Sequence, residues 1–184
     1  MLLNELTPAT KNCHILATAW CGWRGDKMLP FRSDVRLEDI KEILPWITLI
    51  EVFSESEIIF RLAGTMVREI MGVELTGRDL LELTEPGHRR ARGVRTAQTA
   101  HQPFGALWVW KVAFENEHRR PTENLSLPLL PNEDGRPTQL LNVFGMIDAS
   151  DPPRAINHLQ QLASSTQHSF IDIGAGVPAD ISRA

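Results

Sequence analysis

The sequence predicts an α+β fold built on a five-stranded antiparallel sheet. Three observations carry that expectation. Apolar residues recur at helical spacing over 6–23, the period falls to two over 46–63, and it falls to two again over 104–147. Helix-patterned segments separate the first two strands from the last three. In such a fold the helices between the strands cover one sheet face. The striped N-terminal helix is the candidate cover for the other.

The elements follow in order. Thr7-Pro8 supplies a hydroxyl cap and a first-turn proline, so a helix is expected to enter there. Leu6, Ala9, Cys13, Leu16, Trp20 and Trp23 then repeat at gaps of three, four, three, four and three, which places them on one helical face. Gly25 and Pro30 mark a loop, and Asp34 is placed to cap a short helix carrying Leu37, Ile40, Ile43 and Leu44. Residues 46–53 and 57–63 are rich in β-branched and aromatic side chains and read as a hairpin. A short helix over 66–71 and a longer one over 86–101 come next, with Gly72 and Gly77 breaking the chain between them. Three strands follow, over 104–114, 124–130 and 139–147. The first carries Phe104, Ala106, Trp108, Trp110, Val112 and Phe114 on one face. A last helix over 153–164 leads to a tail.

Composition bounds the function. The chain has 184 residues, 42% of them hydrophobic and 23% charged, which fits one globular domain with extensions. A formal net charge of −4 gives the whole molecule no pull toward nucleic acid or anionic lipid. The start lacks the pattern of a signal peptide and no run is long enough to span a bilayer, so a cytoplasmic protein is expected. Cys13 and Cys21 are separated by about 12 Å along a helix axis, too far for a disulfide, and read as reduced thiols. Catalytic motifs are missing: there is no nucleophile elbow, phosphate loop, HExxH or metal-ligand spacing. The chain has no tyrosine, which removes the Asp–Tyr pair of small α+β isomerases. No catalytic or metal-ligating residue is assigned.

Four short motifs then stand in order: Leu29-Pro30-Phe31-Arg32-Ser33-Asp34, Ile43-Leu44-Pro45, Phe60-Arg61-Leu62-Ala63-Gly64-Thr65 and Leu75-Thr76-Gly77-Arg78. This series resembles a group of bacterial single-domain PAS proteins, over about residues 20–150, and the tail 170–176 resembles endings in that group. The resemblance implies a five-stranded PAS sheet with helices enclosing a small pocket. It divides the chain into an N-terminal helical extension (1–28), a PAS-like core (29–150) and a C-terminal helix and tail (151–184). It also implies a homodimer, with Leu6, Ala9, Cys13, Leu16, Trp20 and Trp23 as the dimer-helix candidates, although the same stripe could instead act as a lid within one chain. With no recognised output segment after the core, any signal is expected to pass through a partner protein.

The candidate site residues fall into two groups. Phe60, Leu62, Met66, Ile70, Met71, Trp108 and Trp110 are the pocket candidates, because two tryptophans at i and i+2 can stack on a flat ligand and methionine makes an adaptable wall. Plain core packing is the competing reading. His88, Arg92 and Arg95 share one face of the longer helix and form a candidate anion site, against the plainer reading of a solvated face. Arg61, mid-strand, reads as half of an ion pair before a ligand clamp. Gly64, Gly72 and Gly77 read as turn and packing positions before a pocket mouth. No cysteine stands where a covalent flavin or chromophore would need it, and haem is the weaker expectation although His88 and His101 lie on the longer helix. The functional expectation is therefore a sensory module for an unknown small molecule, a signalling protein or both. A ligand-free scaffold and a small α+β enzyme are the alternatives.

Overall fold

A computed structural model describes residues 3–113, 119–147 and 167–177. After a short 3-10 turn at Leu3–Glu5, α1 runs over Lys11–Arg24. A 3-10 segment, Leu37–Trp46, leads into the hairpin of β1 (Ile47–Ser54) and β2 (Glu57–Ala63). Helix α2 (Thr65–Met71) and helix α3 (Arg89–His101) follow, and then β3 (Gly105–Ala113), β4 (Arg119–Leu129), β5 (Gln139–Met146) and β6 (Gln167–Ile171). The strands form one antiparallel sheet in the order β2-β1-β5-β4-β3-β6, six strands among the described residues.

The α+β class stands, and the tail adds a sixth strand to the five expected. Phe170 and Ile171 sit at alternating positions of β6, and Ile171 is fully buried beneath α1 with Ile173 beside it. The expected helix over 153–164 and the end of the 104–114 strand at Phe114 lie outside the described residues.

Each sheet face has its own core, as strand alternation requires. On one face Leu49, Leu125, Leu127, Leu141 and Val143 meet Cys13, Leu16, Trp20 and Trp23 of α1. On the other, Ile50, Ile58, Phe60 and Leu140 meet Val67, Met71, Leu75 and Ala97. The N-terminal stripe is thus packed on its own sheet. Leu6, Cys13, Leu16, Trp20 and Trp23 are buried there, and Ala9 alone of the six is exposed. Trp20 also donates its indole N–H to the carbonyl of Pro128 at 2.9 Å, which fixes the helix over β4.

Two boundaries differ from those expected. Helix α1 starts at Lys11 and not near Thr7-Pro8, with Thr10 as its cap. The reason lies across the sheet. The carboxylate of Glu123 accepts from the amides of Ala9 and Thr10, both at 2.9 Å, and from the Thr10 hydroxyl at 2.7 Å. Strand β4 begins at Arg119 and not near 124, because Pro121 keeps its place in the ladder through its carbonyl, which accepts from Ile147 N at 3.1 Å.

The sequence motifs are joints. A Cβ at Gly64 would run into the carbonyls of Leu44 and Pro45, so the second and third motifs meet in one close contact. Gly77 adopts φ +85° and donates its amide to Phe60 O at 2.8 Å, tying the turn Leu75-Thr76-Gly77-Arg78 to β2. Asp34 accepts from Phe31 N at 2.8 Å, and the Pro30 carbonyl accepts from Leu130 N at 2.9 Å. Among the described residues no helix is long and apolar enough to cross a membrane.

Candidate ligand-binding cavity

Between the sheet and helices α2 and α3 lies a cavity of about 130 Å³. Its apolar wall comes from Ile50, Phe60, Val67, Ile70, Met71, Leu75, Leu140 and Phe144. Its other wall is polar. Thr48, Thr122, Asn124, Ser126 and Asn142 line up from β1, β4 and β5, while Arg92, Arg95, Thr96 and Thr99 descend from α3. Lys111, exposed, stands among the lining residues from β3. Among the described residues none of those lining it is acidic.

The two candidate groups of the sequence meet here. Arg92 lies over the ring of Trp110 at 4.7 Å and Arg95 over that of Trp108 at 5.7 Å. The match is geometric. Residues three apart on a helix have Cβ atoms about 5–6 Å apart, close to the roughly 6.6 Å that separates i and i+2 on a strand, so two arginines can ride on two tryptophans. The tryptophan rings are 6.1 Å apart and tilted by 40°. Trp108 also packs edge-on against Phe170 of β6 at 5.7 Å.

Arg92 contradicts the reading of α3 as a solvated face: it is only 6% exposed. Its guanidinium donates to Thr84 Oγ1 at 2.9 Å. Burial first, and then repulsion from Arg95, push its pKa down to about 10, with Glu85 pulling the other way. Burial also lowers that of Arg95. Two cations therefore stand close together at a desolvated wall, and both remain charged at neutral pH.

Not every candidate arrives. His88 stays at the helix entry beside Glu85, 3.6 Å away, and does not line the cavity. Leu62 is 42% exposed because the β1–β2 register shifts between Leu49 and Ile50, so that Leu62 pairs with Leu49 and leaves the face of Phe60 at the sheet edge. Met66 is also absent from the lining, as the inward face of α2 is formed by Val67, Ile70 and Met71. Among the described residues no glycine lines it. Arg61 forms the ion pair expected of it, donating to Glu51 Oε2 at 2.6 Å outside the cavity. Among the described residues no group of three or more His, Cys, Asp or Glu is placed to hold a metal ion.

Sequence reading missed the polar row. Asn142 donates to Thr48 Oγ1 at 3.2 Å and Asn124 to Val143 O at 3.1 Å. By contrast the Trp110 indole N–H and the Thr122 hydroxyl are buried with no hydrogen-bond partner, and the two residues face each other directly across β3 and β4. The signal was present in the strand pattern. Thr122, Asn124 and Ser126 alternate with Glu123, Leu125 and Leu127, a polar stripe on a strand whose other face is core. Recognising it needs the knowledge that β4 is central and covered on both sides.

In comparison with known families, a family model described as a PAS domain matches residues 9–147. The match takes in α1 and every strand but β6. No curated protein matches the chain.

Proposed function

This chain belongs to the PAS-domain family, and we propose that it is a non-catalytic sensory module whose cavity binds a small molecule and whose surface reports the bound state to a partner protein. The observation that carries the reading is the cavity itself. Its volume of about 130 Å³ is near the roughly 150 Å³ of an apolar cavity that admits benzene. Its lining combines a hydrophobic wall with a few convergent polar groups, the usual build of a ligand site. The motif series resembles bacterial single-domain members, so bacterial cytoplasmic signalling is the proposed setting. Since the stripe of α1 is packed on its own sheet, a homodimer would use other surfaces, and native mass would report its presence.

The test is native mass spectrometry on the purified protein and on Ala106→Leu, which grows a side chain into the cavity from β3. A small molecule carried by the first protein and missing from the second, with both folded, is the expected result. Retention of the molecule by the filled cavity would move its site elsewhere. A protein that is empty, and binds nothing in a metabolite thermal-shift screen, would leave the ligand-free scaffold as the function.

A further inference from the structure

We propose that the cavity takes a small organic oxyanion, a carboxylate or phosphate monoester on a body about the size of one ring. The inference rests on the sensory reading above and names the ligand class for the same site. Three independent features lead to it.

The first is charge. Arg92 and Arg95 line the cavity from α3, and among the described residues no acidic side chain lines it. An anion that reaches both guanidiniums would be held by two positive charges at a wall shielded from water. The second is hydrogen bonding. The Trp110 N–H and the Thr122 O–H are buried, lack protein partners and sit opposite each other on β3 and β4, with Arg92 stacked on that same Trp110 ring. Thr122 is 1% exposed, so its hydroxyl would be left unsatisfied without a guest. Indole N–H is a donor only and a hydroxyl can donate, so these atoms and the guanidinium fork together suit an acceptor with several oxygens. The third is shape. Opposite these groups stand Ile50, Phe60, Met71 and Leu75, which need an apolar body. The volume of about 130 Å³ limits that body to about one ring.

The experiment is titration of the full chain with benzoate, phenyl phosphate, benzamide and inorganic phosphate, followed by tryptophan fluorescence and calorimetry. Benzoate or phenyl phosphate is expected to bind at least about tenfold more tightly than neutral benzamide and than inorganic phosphate. The two oxyanion arms decide between carboxylate and phosphate. Thr122→Val removes only a hydroxyl that has no partner to lose, so it should keep its thermal stability and weaken the preferred acid several-fold. Arg95→Met should weaken the acid by tenfold or more and leave benzamide unchanged. Equal binding of benzamide and the acids, or insensitivity to both variants, would overturn the anion class and leave the cavity a ligand site. If none of the four probes binds while the purified protein carries another molecule, the one-ring acid is wrong and the sensory reading survives. Failure of all probes on a protein that carries nothing would overturn both.

Discussion

Glu51 shows at the level of single residues how the fold handles a charge. It stands in β1 with its side chain 3% exposed, 2.6 Å from the Nε of Arg61 and 3.7 Å from Arg136. Gln139 donates to its other oxygen at 3.0 Å. Burial alone would raise its carboxyl, but the hydrogen bonds from Arg61 and Gln139 and the two positive charges outweigh that and hold it below the ordinary glutamate value. A lowered folded-state value means the stabilisation is complete above the unfolded glutamate pKa, about 4.3, and is lost as the pH falls through the folded value. Arg61 is half-exposed, so the pair is worth less than a fully buried one. Glu51→Gln should cost about 2 kcal/mol at pH 7, with the gap closing below about pH 4. Urea denaturation of both proteins from pH 3 to 7 measures this, and a gap that stays constant with pH would rule the mechanism out. At this scale much of the site was legible. Trp108, Trp110, Arg92 and Arg95 could be found from spacing alone, but not that they face each other. That depends on α3 crossing β3, a tertiary fact that no local pattern encodes. His88, expected on the helical face of Arg92, ends outside because it lies in the 3-10 turn Pro86–His88 that precedes α3.

Among the elements, α1 is held by a residue far away in sequence. Strand β4 presents Thr122 and Asn124 to the cavity and Glu123 to the opposite face, where that carboxylate takes two amides and a hydroxyl at the helix entry. Negative charge at a helix N-terminus is favourable, and here it is almost fully buried at 2% exposure. Deleting it would leave three donors without an acceptor, the two of Thr10 buried and that of Ala9 partly so. Glu123→Ala should therefore destabilise the protein by about 3 kcal/mol or more, while Glu123→Gln, which keeps one acceptor, should cost less. Chemical denaturation ranks the two, and equal losses would mean that the cap contributes only packing. Hydrogen exchange should show the amides of 9–13 deprotected first in Glu123→Ala. Five of the six strands, the order of the helices between them and the burial of the α1 stripe were readable from periodicity, but whether that stripe packs on its own sheet or across a dimer was not. The start of α1 was not, since Thr7-Pro8 carries the stronger local signal and Glu123 overrides it. Strand β6 was missed for a related reason. Gln167, His168 and Ser169 are exposed and only Ile171 is buried, so an edge strand of this kind alternates too weakly to declare itself.

The whole molecule is one sheet shared by two cores, and that arrangement has a thermodynamic consequence. Trp20, Trp23 and Trp46 lie with the α1 core, whereas Trp108 and Trp110 lie at the cavity. The strands between the cores contribute alternate residues to each: Leu125 and Leu127 to one side, Asn124 and Ser126 to the other. Neither core can melt without exposing the back of the same strands, so the two should unfold together. The tryptophans make this measurable. In Trp108→Phe combined with Trp110→Phe, the remaining fluorescence reports the α1 face alone, and its thermal transition should coincide with the loss of far-ultraviolet circular dichroism. In a protein that keeps Trp108 and Trp110, binding at the cavity should then raise the hydrogen-exchange protection of the α1 amides as well as that of the cavity side, because ligand free energy is added to the single folded state. Separated transitions, or a ligand that shifts only the cavity-side signal, would mean that the two faces are uncoupled. In that case a signal bound between α3 and the sheet would have no route through β4 to α1, and the surface reporting to a partner would have to lie on the cavity side, on α2, α3 or the turns that join them.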